Sequence, residues 1–84
     1  MKAIWFGRLV GTFLGYRGGL TYELSDGSKW TQDDPTHEPV YRENPTARLL
    51  TDSTGRTYLD VEGTSASVVV IRFGEKPMSH AGAF

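Results

Sequence analysis

The sequence predicts an all-β protein, and three observations lead to that prediction. No segment of useful length has the apolar spacing of an amphipathic helix. Ten glycines interrupt the 84-residue chain at short intervals. The segments between them are rich in threonine, tyrosine, valine and phenylalanine, which suit a pleated surface. Short antiparallel strands joined by tight turns account for all three.

Length and composition limit the protein to one small domain. A chain of 84 residues cannot bury two separate cores. It has no cysteine, so disulfides and cysteine-based zinc sites are excluded, which suits a reducing compartment. The apolar run before Gly7 is shorter than a secretory signal needs, and no run approaches the length of a membrane span. We therefore expect a cytoplasmic protein that does not enter a membrane.

The overall charge does not favour nucleic acid as a partner. Ten acidic and nine basic residues give a formal net charge of −1. Proteins that bind nucleic acid without sequence preference normally carry a basic surface that neutralises phosphates. Only a local basic patch would support such binding.

The first half of the chain predicts two strands and a hairpin. Residues 4–16 form a first strand, bent at Gly7 or Gly11. Residues 17–19 make a turn, and residues 20–24 alternate apolar and polar side chains. A two-residue loop after this strand would set Trp30 opposite Glu23, on the wrong face from Tyr22. A three-residue loop at 25–27, closed by Gly27 as a bulge, pairs side chains well. The resulting pairs are Tyr22–Trp30, Glu23–Lys29, Thr21–Thr31 and the less favourable Leu20–Gln32.

A second hairpin follows from the same test of register. The loop at 53–55 again ends in glycine, and the strands on either side separate into an apolar and a polar face. Opposite charges are matched on the polar face. The predicted pairs are Leu49–Leu59, Ala47–Val61, Leu50–Tyr58, Thr51–Thr57, Arg48–Asp60 and Asp52–Arg56.

The remaining segments complete a small barrel. Residues 62–66 make a tight turn, and residues 67–73 form a last strand that is apolar on both faces, so we expect it to be central or covered. Residues 33–45 contain three prolines and predict a long loop. Five or six short strands are best closed into a barrel, which removes exposed edges. We predict a single antiparallel SH3-like barrel over residues 1–73 and a flexible tail over 74–84; an OB-fold is disfavoured because no segment supplies its helix.

The stretch from Gly11 to Gln32 resembles a set of short bacterial proteins of unknown function. Their shared pattern is GxFxG[aromatic]xGxT[aromatic]xLx[ND]GxxWxQ, with a later VEGxS segment that resembles residues 61–65 here. The turn departs from the pattern, because Arg17, Gly18, Gly19 and Leu20 replace a shorter glycine link. The resemblance covers roughly residues 9–73 and implies an SH3-like barrel without any activity. The matching residues are Gly11, Phe13, Gly15, Tyr16, Thr21, Tyr22, Leu24, Asp26, Gly27, Trp30 and Gln32.

Chemical sites find little support in the sequence. The loop from Asp33 to Glu38 holds three carboxylates and His37, but its spacing matches no known calcium or zinc motif, so a solvated loop is the simpler interpretation. No nucleophile motif exists, and His80 lies in the predicted tail. We expect neither catalysis nor a metal or other cofactor.

Two surfaces are candidates for binding a partner. Tyr16 with Arg17, and Tyr41 with Arg42, lie at the two main loops, where aromatic rings beside guanidinium groups suit peptide, nucleic acid or sugar. The simpler alternative is that Tyr16 belongs to the core. Trp5 and Phe6 are neighbours on one strand, so one of them must face outward as a self-association patch. The sequence therefore predicts a non-catalytic protein-interaction or assembly module, with nucleic-acid binding through the Tyr16, Arg17, Tyr41 and Arg42 face as the alternative.

Overall fold

The computed structural model describes residues 1–74, and the all-β prediction is confirmed. These residues form strands joined by turns, with no helix among them. The strands are β1 (Lys2–Arg8), β2 (Thr12–Tyr16), β3 (Thr21–Glu23), β4 (Lys29–Gln32), β5 (Glu38–Glu43), β6 (Thr46–Thr51), β7 (Thr57–Val61) and β8 (Ser67–Arg72).

The strands form two antiparallel sheets. The larger has the order β1-β6-β7-β8-β4-β3, and the smaller consists of β2 and β5. β8 is central in the larger sheet, as its apolar character on both faces predicts. The closed barrel of five or six strands is not confirmed, because there are eight strands and neither sheet closes on itself. The two edges of the larger sheet touch at one point, a single antiparallel bridge between Leu9 and Leu24.

The two predicted hairpins have the registers that the sequence predicts. Tyr22 faces Trp30 in the first hairpin, and Leu49 faces Leu59 in the second. Gly27 and Gly55 close the loops with φ of 91° and 86°, the left-handed region that glycine favours. Local pairing of polar and apolar faces was therefore enough to fix both registers.

Of the two charge pairs predicted across the second hairpin, one forms an ion pair. Arg48 and Asp60 form an ion pair with Nε and Oδ2 2.9 Å apart. Asp52, in contrast, turns its carboxylate into the loop, where it accepts hydrogen bonds from the backbone N–H groups of Thr54 and Arg56 at 2.9 and 3.1 Å. The carboxylate thus stabilises the turn instead of binding the Arg56 guanidinium.

Two of the predicted segment assignments were wrong. Residues 4–16 are not one bent strand, because the chain leaves the larger sheet after Arg8 and enters the smaller one at Thr12. Gly11, with φ of 87°, makes this turn, and it exchanges hydrogen bonds with Asn44 through its N–H and its carbonyl. Residues 33–45 are not a continuous loop, because they contain β5.

Strand β5 was not predicted because its partner, β2, is distant in sequence. It pairs with β2, and Pro39 lies opposite Gly15. A Cβ atom at Gly15 would lie 2.1 Å from the Glu38 carbonyl oxygen, so this close approach requires glycine. A proline within an apparent loop gives no local sign of such a partner.

The core lies between the two sheets. Phe13 and Tyr16 reach it from β2, and Trp5, Leu20, Trp30 and Val40 pack against its margin. The buried apolar side chains that form it are Leu9, Phe13, Tyr16, Tyr22, Leu24, Ala47, Leu49, Leu59, Val61, Val68 and Val70. The tail predicted for residues 74–84 lies, apart from Gly74, outside the described residues, as does His80.

Candidate binding surfaces

Tyr16 is part of the core and not of the surface. It is 1% exposed, and its ring packs edge-on against Phe13 with centroids 5.6 Å apart. Its hydroxyl accepts a hydrogen bond from the Val61 N–H at 2.9 Å and lies 3.0 Å from both the Thr64 hydroxyl and the Ala66 carbonyl. Burial raises the pKa of Tyr16 to about 12, although the bonds with Thr64 and Val61 act in the opposite direction. Tyr16 thus fastens β2 to the turn after β7 and offers no surface to a ligand.

Arg17 is exposed, but its backbone is tied to the interior. Its N–H donates to the Tyr22 hydroxyl at 3.2 Å, and that hydroxyl donates to Gln32 Oε1 at 2.7 Å. Gln32 Nε2 in turn donates to the Thr36 carbonyl at 2.7 Å. Gln32 is therefore a buried but fully hydrogen-bonded residue, which explains how the structure accommodates its position at the end of the first hairpin.

Tyr41 and Arg42 are consecutive exposed residues of β5. Tyr41 is 68% exposed, and its hydroxyl donates to the Glu43 carboxylate at 2.5 Å. This bond raises the pKa of Tyr41 and lowers the pKa of Glu43. The Arg42 guanidinium lies against the turn at Gly63, where an added Cβ would be 2.6 Å from its Nε.

The four residues of the predicted aromatic and arginine face do not form one cluster. Tyr16 is buried opposite Glu38, whereas Arg42 pairs with Phe13 nearer the other end of the same two strands. Within residues 1–74, the guanidinium that stacks on an aromatic ring is that of Arg72, 5.1 Å from the centroid of Trp30. That contact is in the larger sheet and was not anticipated from the sequence, although the register that pairs β4 with β8 brings the two together.

Two of the three carboxylates of the acidic loop, those of Asp34 and Glu38, accept hydrogen bonds from backbone groups. Asp34 accepts hydrogen bonds from the Val69 N–H at 2.8 Å and the Thr36 N–H at 3.0 Å. Its desolvation favours a higher pKa, but these bonds outweigh it and the pKa of Asp34 is lowered. Glu38 accepts bonds from the N–H and the hydroxyl of Ser65 at 2.9 and 3.2 Å. Over the described part of the chain, no three His, Asp or Glu side chains come together as metal ligands.

Trp5 and Phe6 face opposite ways, as their adjacency on a strand predicts. Trp5 is half-buried against the core, and its indole occupies the space that a Cβ at Gly7 would need, 2.3 Å from the ring. Phe6 is 72% exposed. It borders a shallow depression of about 180 Å³ whose floor includes the Arg48–Asp60 ion pair. Phe6 is therefore an apolar side chain presented to solvent beside charged groups.

Strand β1 forms a long, largely unpaired edge of the larger sheet. It pairs with β6 on one side, and a register shift between Ala3 and Trp5 leaves Ile4 as a bulge that is 52% exposed. On the other side only its last residue is bonded among residues 1–74: the Arg8 carbonyl accepts from the Ser25 N–H at 2.8 Å, and the Arg8 N–H donates to the Ser25 hydroxyl at 3.2 Å. The free edge thus runs from residue 2 to residue 7.

The other edges are less open to a partner strand. β3, at the opposite edge of the larger sheet, has three residues and adjoins the Leu9–Leu24 bridge. β5 contains Pro39, which has no N–H to donate, and β2 contains Gly15 and an irregular register. Among the edges of the described fold, β1 is the longest, at seven residues, and it exposes two large apolar side chains.

Comparison with known proteins finds no matching family model, and no significant match among curated proteins or solved structures. The resemblance of the Gly11–Gln32 stretch to short bacterial proteins therefore stays a prediction. Within residues 1–74, no helix is long and apolar enough to cross a membrane.

Proposed function

We propose that this protein is a non-catalytic protein-interaction module whose binding element is the free edge of β1. The observation that carries the proposal is the coincidence, on one strand, of unpaired backbone groups with the exposed side chains of Ile4 and Phe6. The SH3-like barrel belongs to the same proposal, and the Leu9–Leu24 bridge supports it because that bridge joins the two edges of the larger sheet at one end.

The mode of binding is the addition of a strand to the sheet. An extended segment beside residues 2–7 forms main-chain hydrogen bonds with β1, and these bonds provide affinity for any suitable backbone. Side chains that alternate along the added strand contact Ile4 and Phe6 and provide selectivity. The added strand can come from another protein or from β1 of a second copy, which is the self-association predicted for Trp5 and Phe6.

The state of the carboxylates supports a role without catalysis. Asp34, Glu38 and Asp52 accept hydrogen bonds from backbone N–H groups. Asp60 is paired with Arg48. The pKa of Asp34 and that of Asp52 are lowered, whereas a general acid or base near neutral pH needs a carboxylate whose pKa is raised.

A screen of extended peptides tests the proposal. A phage library of short random peptides is selected on the immobilised protein, and the bound peptides are mapped by chemical-shift changes in ¹H–¹⁵N spectra. We expect shifts along residues 2–7 and along β6, and loss of selection with Phe6→Ser. Leu14→Ser is the matched control, because Leu14 is 68% exposed on β2 and away from the β1 edge. Selected peptides that bind elsewhere, or equal binding by both variants, would contradict the proposal.

The alternative proposal is nucleic-acid binding, favoured by the exposure of Tyr41 and of both Arg17 and Arg42. Aromatic rings stack on bases, and guanidinium groups neutralise phosphates. Fluorescence anisotropy with a labelled oligo(dT) at low salt tests it. Binding that weakens steeply with salt and is reduced in Arg42→Ala supports this alternative, and an unchanged anisotropy at low salt rules it out.

A further inference from the structure

The free edge of β1 differs from the rest of the chain in its charge. Its charged side chains are Lys2 and Arg8, one at each end, and β1 contains no acidic residue. The first acidic residue of the chain is Glu23, so β2 adds no acidic side chain either. The exposed apolar side chains Ile4 and Phe6 lie between the two basic ends. The edge therefore has an apolar centre and basic flanks, although the whole protein has a net charge of −1.

Two acidic residues, Asp60 and Glu62, line the same depression as Phe6. Asp60, two strands away, is bound to Arg48. Glu62 approaches the Arg8 end through Thr46, because the Thr46 N–H donates to its carboxylate at 3.4 Å and Thr46 lies opposite Arg8. Lys2, at the other end of β1, lies opposite Thr51. Asp52 follows Thr51 in the chain, but its carboxylate is bound within its own turn. The charges that β1 itself carries are therefore positive at both ends.

Pairing between two copies of β1 is disfavoured by these charges. A two-fold pairing that brings the exposed Ile4 of one copy beside Phe6 of the other is centred on Trp5. It sets Lys2 of each copy beside Arg8 of the other, so two pairs of like charges meet at close range. Arg8 also has its outer backbone groups occupied by Ser25. Basic side chains and a bulge on an edge strand are features that prevent pairing between identical edges.

We propose that the partner of β1 is an extended segment of another protein, with apolar residues at alternate positions and acidic residues at its ends. This inference rests on the proposed function and adds the chemistry of the partner to it. The free edge of six residues spans about 20 Å, so a segment of about six residues covers it. Its acidic residues contact Lys2 and Arg8, and its apolar residues cover Ile4 and Phe6.

Three synthetic peptides with one core and different ends test the charge requirement. Each has a Thr-Val-Thr-Val-Thr core with both ends blocked, and two residues of Glu, Gln or Lys at either end. Binding is measured by titration of ¹H–¹⁵N spectra at low salt and again at about 1 M salt, where the Debye length is about 3 Å. We expect the glutamate peptide to bind along residues 2–7 about tenfold more tightly than the lysine peptide at low salt, since cross-strand charge pairs are individually weak. High salt should remove most of that difference.

Charge reversal on the protein gives the matched comparison. Lys2→Glu should lower the affinity for the glutamate peptide and raise the affinity for the lysine peptide. Lys29→Glu, which makes the same change of charge on β4, should leave both affinities unchanged because β4 pairs with β3 and β8 and not with β1. Both lysines are exposed, so both variants are expected to fold, and their spectra verify it.

The possible outcomes separate this inference from the function on which it rests. Equal binding of all three peptides along β1, or tighter binding of the lysine peptide, overturns the acidic partner and leaves the interaction module intact. A β1-mediated dimer seen by light scattering that binds more tightly than the glutamate peptide also overturns it, in favour of self-association. If no peptide perturbs residues 2–7 and no dimer forms, both proposals fail.

Discussion

The substitution Tyr16→Phe removes one buried hydroxyl and leaves the ring in place. The Val61 N–H loses the acceptor that it has at 2.9 Å, in a residue that is 2% exposed. The other partners keep a bond, because the Thr64 hydroxyl lies 2.7 Å from the Val61 carbonyl and 3.1 Å from the Ala66 carbonyl. The expected damage is therefore one buried donor without an acceptor, together with the lost link between β2 and the turn after β7.

The expected loss of stability in Tyr16→Phe follows from this one unsatisfied donor. A buried donor left unsatisfied costs about 1–3 kcal/mol, so we expect the free energy of unfolding to fall by about 2 kcal/mol. A domain of this size has a total stability of about 5–15 kcal/mol. Since 1 kcal/mol shifts the melting temperature of such a domain by about 4–8 °C, the expected decrease is roughly 8–16 °C.

Urea denaturation of Tyr16→Phe and Tyr41→Phe measures the difference. Both variants lose a tyrosine hydroxyl, but that of Tyr41 is exposed and donates only to Glu43 within the described fold. We expect Tyr41→Phe to change stability by less than about 0.5 kcal/mol. Equal losses in the two variants, or a loss below 0.5 kcal/mol for Tyr16→Phe with an unchanged m-value, would refute the role assigned to the Tyr16 hydroxyl.

The remaining predictions concern pH and backbone geometry. The pKa of Tyr16 is raised from 10.0 to about 12, so its stabilisation is complete below pH 10 and lost as the pH rises to 12; Tyr16→Phe should flatten this alkaline decrease. The hydrogen bond from the Thr54 hydroxyl, with others, lowers the pKa of Asp52 from 3.8 to about 2, so the stabilisation from Asp52 is present above pH 4 and lost as the pH falls to 2. Asp52→Asn should therefore reduce the loss of stability between pH 4 and pH 2, and NMR of the carboxyl group measures the pKa. Gly15→Ala should destabilise the fold well beyond Gly27→Ala in thermal melts, because both have positive φ but only the Gly15 Cβ meets backbone, at 2.1 Å. Equal melting temperatures would contradict this.

The hairpins could be predicted because their information is local. In each, two strands and a three-residue loop ending in glycine fit only one register that separates apolar from polar faces. The central position of β8 also follows from its composition, because apolar residues on both faces need neighbours on both sides. These elements are defined by residues that lie close together in the chain.

The missed features all depend on contacts between distant segments. β5 exists because Gly15 admits the backbone of Glu38, more than twenty positions later, and Glu38 itself fastens to Ser65. The pairing of Gln32 with Leu20 is unfavourable in the sequence, but the side-chain amide of Gln32 forms hydrogen bonds with Tyr22 and Thr36 inside the fold. Tyr16 looked like an interface residue because the turn that receives its hydroxyl comes some 45 positions later. The sequence around each of these partners contains no motif that would identify the contact.

These same distant contacts decide where function can lie. In the stretch from Gly11 to Gln32, the hydroxyls of Tyr16 and Tyr22 and the amide of Gln32 form hydrogen bonds inside the fold. Substitution of these residues is therefore expected to reduce stability. β1 is the reverse case, because little of the fold depends on the outer side of Ile4 and Phe6, which remain exposed at a cost in apolar hydration. Exposed apolar residues on an open edge, where they contribute little to the fold, support the proposed partner strand. Comparing Phe6→Ser with Tyr16→Phe separates the two roles: the first should weaken binding with unchanged stability, and the second should weaken stability with unchanged binding below the melting temperature.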